Sequence, residues 1–322
     1  MSAKKVQWLV KDLIPENMIT LLSGKPGSFK SWFLSGLAVV ADGGGSLFNA
    51  YSCERCKNII YIDEDTPQNT YELHLEALAL GKIPTSIDQR SMTGFRLGDD
   101  KQRDKLRNEI IKLTPAGKVL VLFDCLAKIA VGLNLDRSNY AVKAMSYLMQ
   151  IRDTGATVVV SHHVSIHKMD KEPMNSTFIK SGTDSIINLE IVPLKDQHIF
   201  LVSPESRRVS LTKPFVVKLD SDDDLDWATL VKMDEMPVIP TDDEKMIFKL
   251  FPDNSAKWTV KEISDGTGRD LPDSRIREVL TQLVRQLCLK KVVDPHDRSH
   301  AAHYELHPDF PKLNSAYKYY IK

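Results

Sequence analysis

The sequence predicts an α/β protein in two parts: a large domain on a mainly parallel sheet, then a small C-terminal module of helices and a β-wing. Three observations carry that expectation. From Met18 to about Leu219, short and continuously apolar runs alternate with helical stretches. A strand without period-2 alternation is one buried on both faces, as under covering helices. A glycine-rich loop follows directly on the first of these runs. The composition then breaks at the acidic run Asp220–Asp224 and the proline-punctuated Met236-Pro-Val-Ile-Pro240, which reads as a linker. The domains are therefore expected at residues 1–235 and 236–322.

Taken in order, the runs Ile19–Leu22, Asn58–Ile62, Val119–Phe123 and Thr157–Ser161 read as strands. Helical stretches at Ser31–Ala41, Asn69–Leu80, Lys101–Leu113 and Ser138–Thr154 accompany them, the signature of βαβ winding. Ile186–Val192 and Ile199–Val202 stand only a few residues apart around Lys195-Asp196-Gln197, so they are expected to finish the sheet as an antiparallel hairpin. Beyond the linker, Asp242–Phe251, Thr259–Ser264 and Asp273–Leu289 read as helices. In the last, Ile276, Val279, Leu280, Leu283, Val284 and Leu287 recur at three- and four-residue spacing, giving one buried stripe. With the strand pair Lys291–Asp294 and His303–Leu306, this module has the pattern of a winged helix.

A chain of 322 residues is long enough for both parts. Lys plus Arg equals Asp plus Glu at 43 each, so there is no global basic field and any nucleic-acid contact must be local. No run of about 18 apolar residues is present to span a membrane, and the first residues carry no secretory signal. Cys53, Cys56, Cys125 and Cys288 are too few and too scattered for a disulfide scaffold, which fits a reducing cytoplasm. Cys53-Glu-Arg-Cys56 has the spacing of half a zinc site, but a structural site needs four ligands. The histidines that might complete it (His296, His300, His303, His307) fall in the other domain, so a plain hairpin turn is the favoured reading.

The strongest signal is Gly24-Lys25-Pro26-Gly27-Ser28-Phe29-Lys30-Ser31, between a strand and a helix. Such a loop turns back on itself so that successive backbone N–H groups face phosphate oxygens, and the helix N-terminus adds its partial positive charge. Lys30 would reach the β- and γ-phosphates of ATP, and the Ser31 hydroxyl would bind Mg²⁺. Trp32 completes the expected nucleotide set. Phe29 stands where a glycine usually precedes the lysine, placing a ring near the base or sugar side. Asp124 ends the apolar strand Val119–Phe123 and is expected to hold Mg²⁺ through water. Asp63, Glu64 and Asp65 close the strand after the P-loop helix. Glu64 is the expected base or water-positioning residue, with Asp63 or Asp65 free to cap the next helix. Ser161-His162-His163 ends the strand that follows Asp124. A polar side chain there could sense the γ-phosphate; His162 is the candidate, with His163 as its alternative.

These pieces, in this order, resemble the RecA/DnaB-type ATPase superfamily, and within it the plasmid RepA-like hexameric helicases and their phage relatives. The resemblance covers about Val6–Leu219. It rests on Trp8–Pro15, the P-loop, Tyr61–Pro67, Leu122–Asp124, Gly155–His163 and Ile179–Ile187. It implies a RecA-like core, a homo-oligomeric ring (a hexamer among the possibilities) with ATP between subunits, and an arginine finger from Arg207 or Arg208. It also implies DNA-contacting loops at Lys128–Ser138 and Val164–Gly182, the second carrying Lys168, Lys171 and Lys180. In the C-terminal module, Arg275 and Arg277 lie on the helix that would enter DNA, though that module could equally dock protein. The implied function is an ATP-driven helicase or translocase on single-stranded DNA, alongside other replication proteins. The alternative is an ATP-dependent DNA-binding switch or loader that does not unwind. A small-molecule kinase is disfavoured, because no arginine-rich lid segment is present.

Overall fold

The computed structural model describes residues 6–135, 137–163, 176–192, 197–234, 241–251, 256–285, 289–293 and 302–306. The chain divides into two compact units, Met1–Val192 with Gln197–Glu235, and Met236–Lys322 with Pro193–Asp196.

The first unit begins β1 (Trp8–Val10), β2 (Ile14–Pro15), β3 (Ile19–Gly24), α1 (Lys30–Gly43), β4 (Gly45–Leu47), β5 (Tyr51–Cys53), β6 (Asn58–Asp63) and α2 (Gln68–Leu78). It continues with β7 (Ile87–Ser91), α3 (Asp100–Leu113), β8 (Val119–Asp124), α4 (Leu126–Ile129), α5 (Ser138–Arg152), β9 (Ala156–His163) and α6 (Ser176–Gly182). Four strands close it: β10 (Ser185–Val192), β11 (His198–Glu205), β12 (Phe215–Ser221) and β13 (Ala228–Lys232).

One nine-stranded sheet runs β13-β12-β11-β10-β3-β9-β8-β6-β7. From β10 to β7 every pairing is parallel, and β11, β12 and β13 add antiparallel. All six residues of β3 and of β8 are buried, which is why these strands read as unbroken apolar runs. Their alternate side chains feed two cores: Leu120 and Leu122 pack with Phe33, Leu34 and Leu37 of α1. Val119, Val121 and Phe123 pack with Leu106, Ile110 and Leu148 from α3 and α5. α3 starts on Asp99, whose carboxylate accepts from the backbone N–H of Lys101 and Gln102, satisfying donors that the first helical turn leaves open.

Two expectations fail in this unit. The acidic run from Asp220 is not a linker: β12 carries on to Ser221 and turns into β13, so two further strands follow the predicted hairpin. A separate four-stranded sheet, β2-β1-β5-β4, was not foreseen, since strands of two or three residues carry no usable periodicity.

The second unit contains α7 (Asp242–Phe248), β14 (Trp258–Thr259), α8 (Val260–Gly266), α9 (Asp273–Arg285), β15 (Leu289–Val293) and β16 (Ala302–Leu306). Its sheet runs β14-β16-β15. Thr241 with Glu244, and Thr259 with Glu262, form capping boxes that start α7 and α8. Thr259 is thus the cap of its helix rather than its first residue, and Leu289 belongs to a strand. The apolar stripe of α9 is buried: Ile276, Val279, Leu280 and Leu283 join Ile247, Phe248 and Ile263.

Candidate functional site

Parallel strands all point their C-terminal ends to one edge of a sheet, and loops there collect functional groups. At this edge stand the loop after β3 and the ends of β6, β8 and β9. Register fixes their alignment: Asp63 lies opposite Asp124, and Gly24 opposite His163.

The loop after β3 is shaped by two glycines. Cβ on Gly24 would meet Ser28 Oγ at 2.2 Å and the Leu189 carbonyl at 2.7 Å, and Gly27 sits at φ +78°. Phe29 caps α1 in the left-handed region, at φ 64°. That is a glycine-type conformation occupied by a bulky residue. Packing holds it there, with the Phe29 ring stacked 5.2 Å from Phe200 and edge-on to His198 at 5.8 Å. Trp32 stacks on His74 at 4.1 Å, which ties α1 to α2.

The Lys30 ammonium is held by the loop itself, donating to the carbonyls of Gly24 at 3.0 Å and Lys25 at 2.8 Å. Burial lowers its pKa, while the charges of Asp124, Cys125 and Asp65 pull it back up. Ser31 Oγ donates to Asp124 Oδ2 at 2.6 Å, and Ser161 Oγ donates to Asp124 Oδ1. Asp124 is 3% exposed, so both its oxygens are satisfied by hydroxyls in a site closed to bulk water. Sequence reasoning passed over Ser161, although a hydroxyl ending an all-apolar strand was the signal.

Asp63 is fully buried. Its Oδ1 accepts from the backbone N–H of Asp65 and Thr66, both at 2.8 Å, and its Oδ2 has no partner among the described residues. Burial first, and the neighbouring Asp124 second, push its pKa up to about 7. Two hard carboxylates and a serine hydroxyl at one strand edge fit Mg²⁺, and the orphaned Oδ2 marks where the protein leaves negative charge unbalanced. Ser31 and Asp124 would hold the ion.

Glu64 is 7% exposed and faces the chain after β7, where Thr93 Oγ1 and the backbone N–H groups of Gly94 and Phe95 donate to it. Asp65 instead meets Lys128 Nζ at 3.1 Å and His163 Nε2 at 4.0 Å. Asp65, Cys125 and His163 present ligand-type atoms within 4.8 Å of one another. His163 thus joins the polar cluster, its pKa lowered by burial and then by Lys30. His162 is 2% exposed and is not part of that group. Cys53 and Cys56 are buried free thiols, each pushed by burial to about 12. Among the described residues no third metal-ligating group joins them.

Lys180 on α6, with Arg207 and Arg208 beyond β11, lines a cleft of 330 Å³ that also contains Asp184. Arg208 is ion-paired to Asp184, whose side chain is 2% exposed. Arg207 is exposed. Lys168 and Lys171 lie outside the described residues. On α9, the Arg275 guanidinium is spent within its own unit, on Asp243 at 2.6 Å and Glu278 at 2.8 Å, while Arg277 is exposed.

Known proteins agree with this geometry. In fold, the chain is similar to the solved ATPase domain of a DnaB-like helicase, with 16% identity and a TM-score of 0.51, over 68% of this chain and 86% of that one. That likeness supports a RecA/DnaB-type P-loop ATPase fold. No curated protein matches the sequence. A family model described as "AAA domain" matches residues 2–168, more than half of the chain and all the strands that carry the phosphate loop, Asp63 and Asp124. The chain belongs to this AAA-domain family of P-loop ATPases.

Proposed function

We propose that the protein is a ring-forming ATPase motor that moves along single-stranded DNA in replication or recombination, of the RepA-like helicase kind. The observation that carries the reading is the division of labour between two adjacent arginines. Arg208 is anchored on buried Asp184, and that anchor presents its neighbour Arg207 at the surface. An exposed arginine held on a rigid strand end, at a distance from its own phosphate loop in sequence, suits a finger acting on the nucleotide of the next subunit.

In this scheme the loop N–H groups, the α1 N-terminus and Lys30 bind and orient the triphosphate of ATP. Mg²⁺ on Ser31 and Asp124 supplies charge neutralisation at the phosphates. Arg207 from the neighbouring subunit stabilises charge developing in the transition state, an effect typically worth about 10³–10⁵ in rate. His163 reads occupancy at the phosphate end and is the first link to the chain that follows β9. Lys180 and its neighbours Lys168 and Lys171 meet DNA phosphates, and Arg277 is available to a second contact through the winged helix.

The test is ATP hydrolysis by the purified protein with and without single-stranded DNA, alongside its mass in solution with a non-hydrolysable ATP analogue. Stimulation by single strands together with a ring-sized mass supports the motor. Slow hydrolysis by a monomer or dimer, indifferent to DNA, overturns it and leaves an ATP-dependent switch or loader as the function.

A further inference from the structure

The chain leaves β6 with two consecutive carboxylates, and the fold sends them to different places. The Glu64 backbone N–H donates to the Asp124 carbonyl at 2.8 Å, fixing the start of the turn. The Glu64 side chain then accepts from Thr93 Oγ1 at 2.8 Å and Phe95 N–H at 2.9 Å on one oxygen, and from Gly94 N–H at 3.0 Å on the other. Arg96 adds an ion pair at 3.6 Å. A carboxylate offers about four acceptor positions, so Glu64 is fully engaged in holding the segment after β7.

Asp65 has a different surrounding. Its side chain is 35% exposed, one oxygen 3.1 Å from Lys128 Nζ and the other 4.0 Å from His163 Nε2. Its charge acts on the Lys30 ammonium, as does that of Asp124. The Asp65–Cys125–His163 group resembles a metal-binding set in donor type, but two ammonium groups adjoin it. That charge pattern suits an anionic phosphoryl group with a water beside it, not a second cation.

We propose that Asp65, rather than Glu64, is the carboxylate that orients and deprotonates the attacking water, with Lys128 and His163 fixing its direction. The inference rests on the ATPase reading above. The water oxygen forms a bond to the γ-phosphorus as the bond from that phosphorus to the β,γ-bridging oxygen breaks. The electron pair of the broken bond leaves with ADP. One water hydrogen remains on the inorganic phosphate, and the other passes to Asp65 and from there to solvent. Glu64 acts at one remove, as the anchor of the 93–96 segment.

The experiment compares Asp65→Asn with Glu64→Gln by steady-state hydrolysis, binding of a fluorescent non-hydrolysable ATP analogue, and thermal melting. Loss of a general base typically costs about 10²–10⁴ in rate, so Asp65→Asn should lose that much kcat while KM, analogue affinity and melting temperature stay near wild type. Glu64→Gln should melt lower and lose no more than about tenfold in kcat, short of the range for a missing base. If Glu64→Gln fails to fold, Thr93→Val, which removes one donor from outside the turn, should give the same pattern. Wild-type kcat in Asp65→Asn, or abolished turnover in a normally melting Glu64→Gln, overturns the assignment while leaving the ATPase intact. A wild-type protein that binds the analogue yet never hydrolyses ATP overturns the ATPase reading itself, and this assignment with it.

Discussion

Removing Arg207 or Arg208 should damage the protein in opposite ways, although the two are neighbours in sequence. Asp184 is buried at the foot of β10, and its Oδ2 accepts the Ile19 N–H at 2.8 Å, at the entrance to the strand that leads to the phosphate loop. Arg208 closes on Oδ1, and Arg152 stands 3.5 Å from Oδ2. Arg208→Ala deletes one charged hydrogen bond from a side chain that is 53% exposed, and Asp184 keeps its other two partners. Solvent screening limits the loss to about 1 kcal/mol. Asp184→Ala is worse, because Ile19 N–H loses its acceptor inside the core while both arginines can still reach water; about 2–4 kcal/mol follows. Arg207→Ala touches no such network and should fall within about 0.5 kcal/mol of wild type, yet lose about 10³-fold or more in DNA-stimulated turnover. Urea unfolding midpoints and ATPase rates on the three variants separate these effects. Arg208→Ala that unfolds like wild type but no longer hydrolyses ATP would refute the reasoning, since Arg208 would then be the finger and its bond to Asp184 incidental.

Two further substitutions probe the site from within. Asp63 holds its proton to about pH 7 against an ordinary carboxylate value of 3.8. The folded state therefore binds this proton more tightly than the unfolded chain does. The resulting stabilisation is complete below about pH 4 and is lost as pH rises to about 7. Asp63→Asn keeps an oxygen for the Asp65 and Thr66 N–H groups while discarding the charge, so without nucleotide it should gain up to about 4 kcal/mol over wild type at pH 8 and little at pH 4. Calorimetry at the two pH values checks this, and an equal effect at both would contradict the burial argument. At Phe29, both Phe29→Ala and Phe29→Gly remove the ring from Phe200, but only glycine is at ease at φ 64°. The glycine variant should therefore be the more stable of the two by about 1 kcal/mol, read from denaturant midpoints; a more stable alanine variant would show that the loop relaxes out of the left-handed region.

The main sheet was legible in the sequence where burial is complete on both faces, because a strand such as Val119–Asp124 has no polar residue until its functional end. The peripheral strands were not. Ile87–Ser91 lies at an edge and carries Asp88, Gln89 and Arg90, and the hairpin from Phe215 to Lys232 passes through Asp222, Asp223 and Asp224. An edge strand tolerates charge because one side is open to water, so polarity alone cannot tell it from a linker. For the same reason the acidic turn of that hairpin imitated a domain boundary.

Within the site, legibility followed backbone regularity. Lys30, Ser31 and Asp124 occupy positions where a strand end or a helix start dictates where the side chain goes, and the structure gathers all three. Asp63 is the last residue of β6, and beyond it the period-2 rule that assigns side chains to faces has no purchase. Glu64 and Asp65 sit in a turn built on Asp63 Oδ1, so their directions depend on partners distant in sequence. Thr93–Arg96 draw one carboxylate away, and Lys128 and His163 draw the other toward Lys30. The same limit governs His162 and His163, adjacent residues at the end of β9 that must face opposite ways. Which carboxylate and which imidazole reach the phosphates is thus set by tertiary partners that no local pattern encodes, and a one-residue difference in the length of β6 would exchange the roles of Glu64 and Asp65.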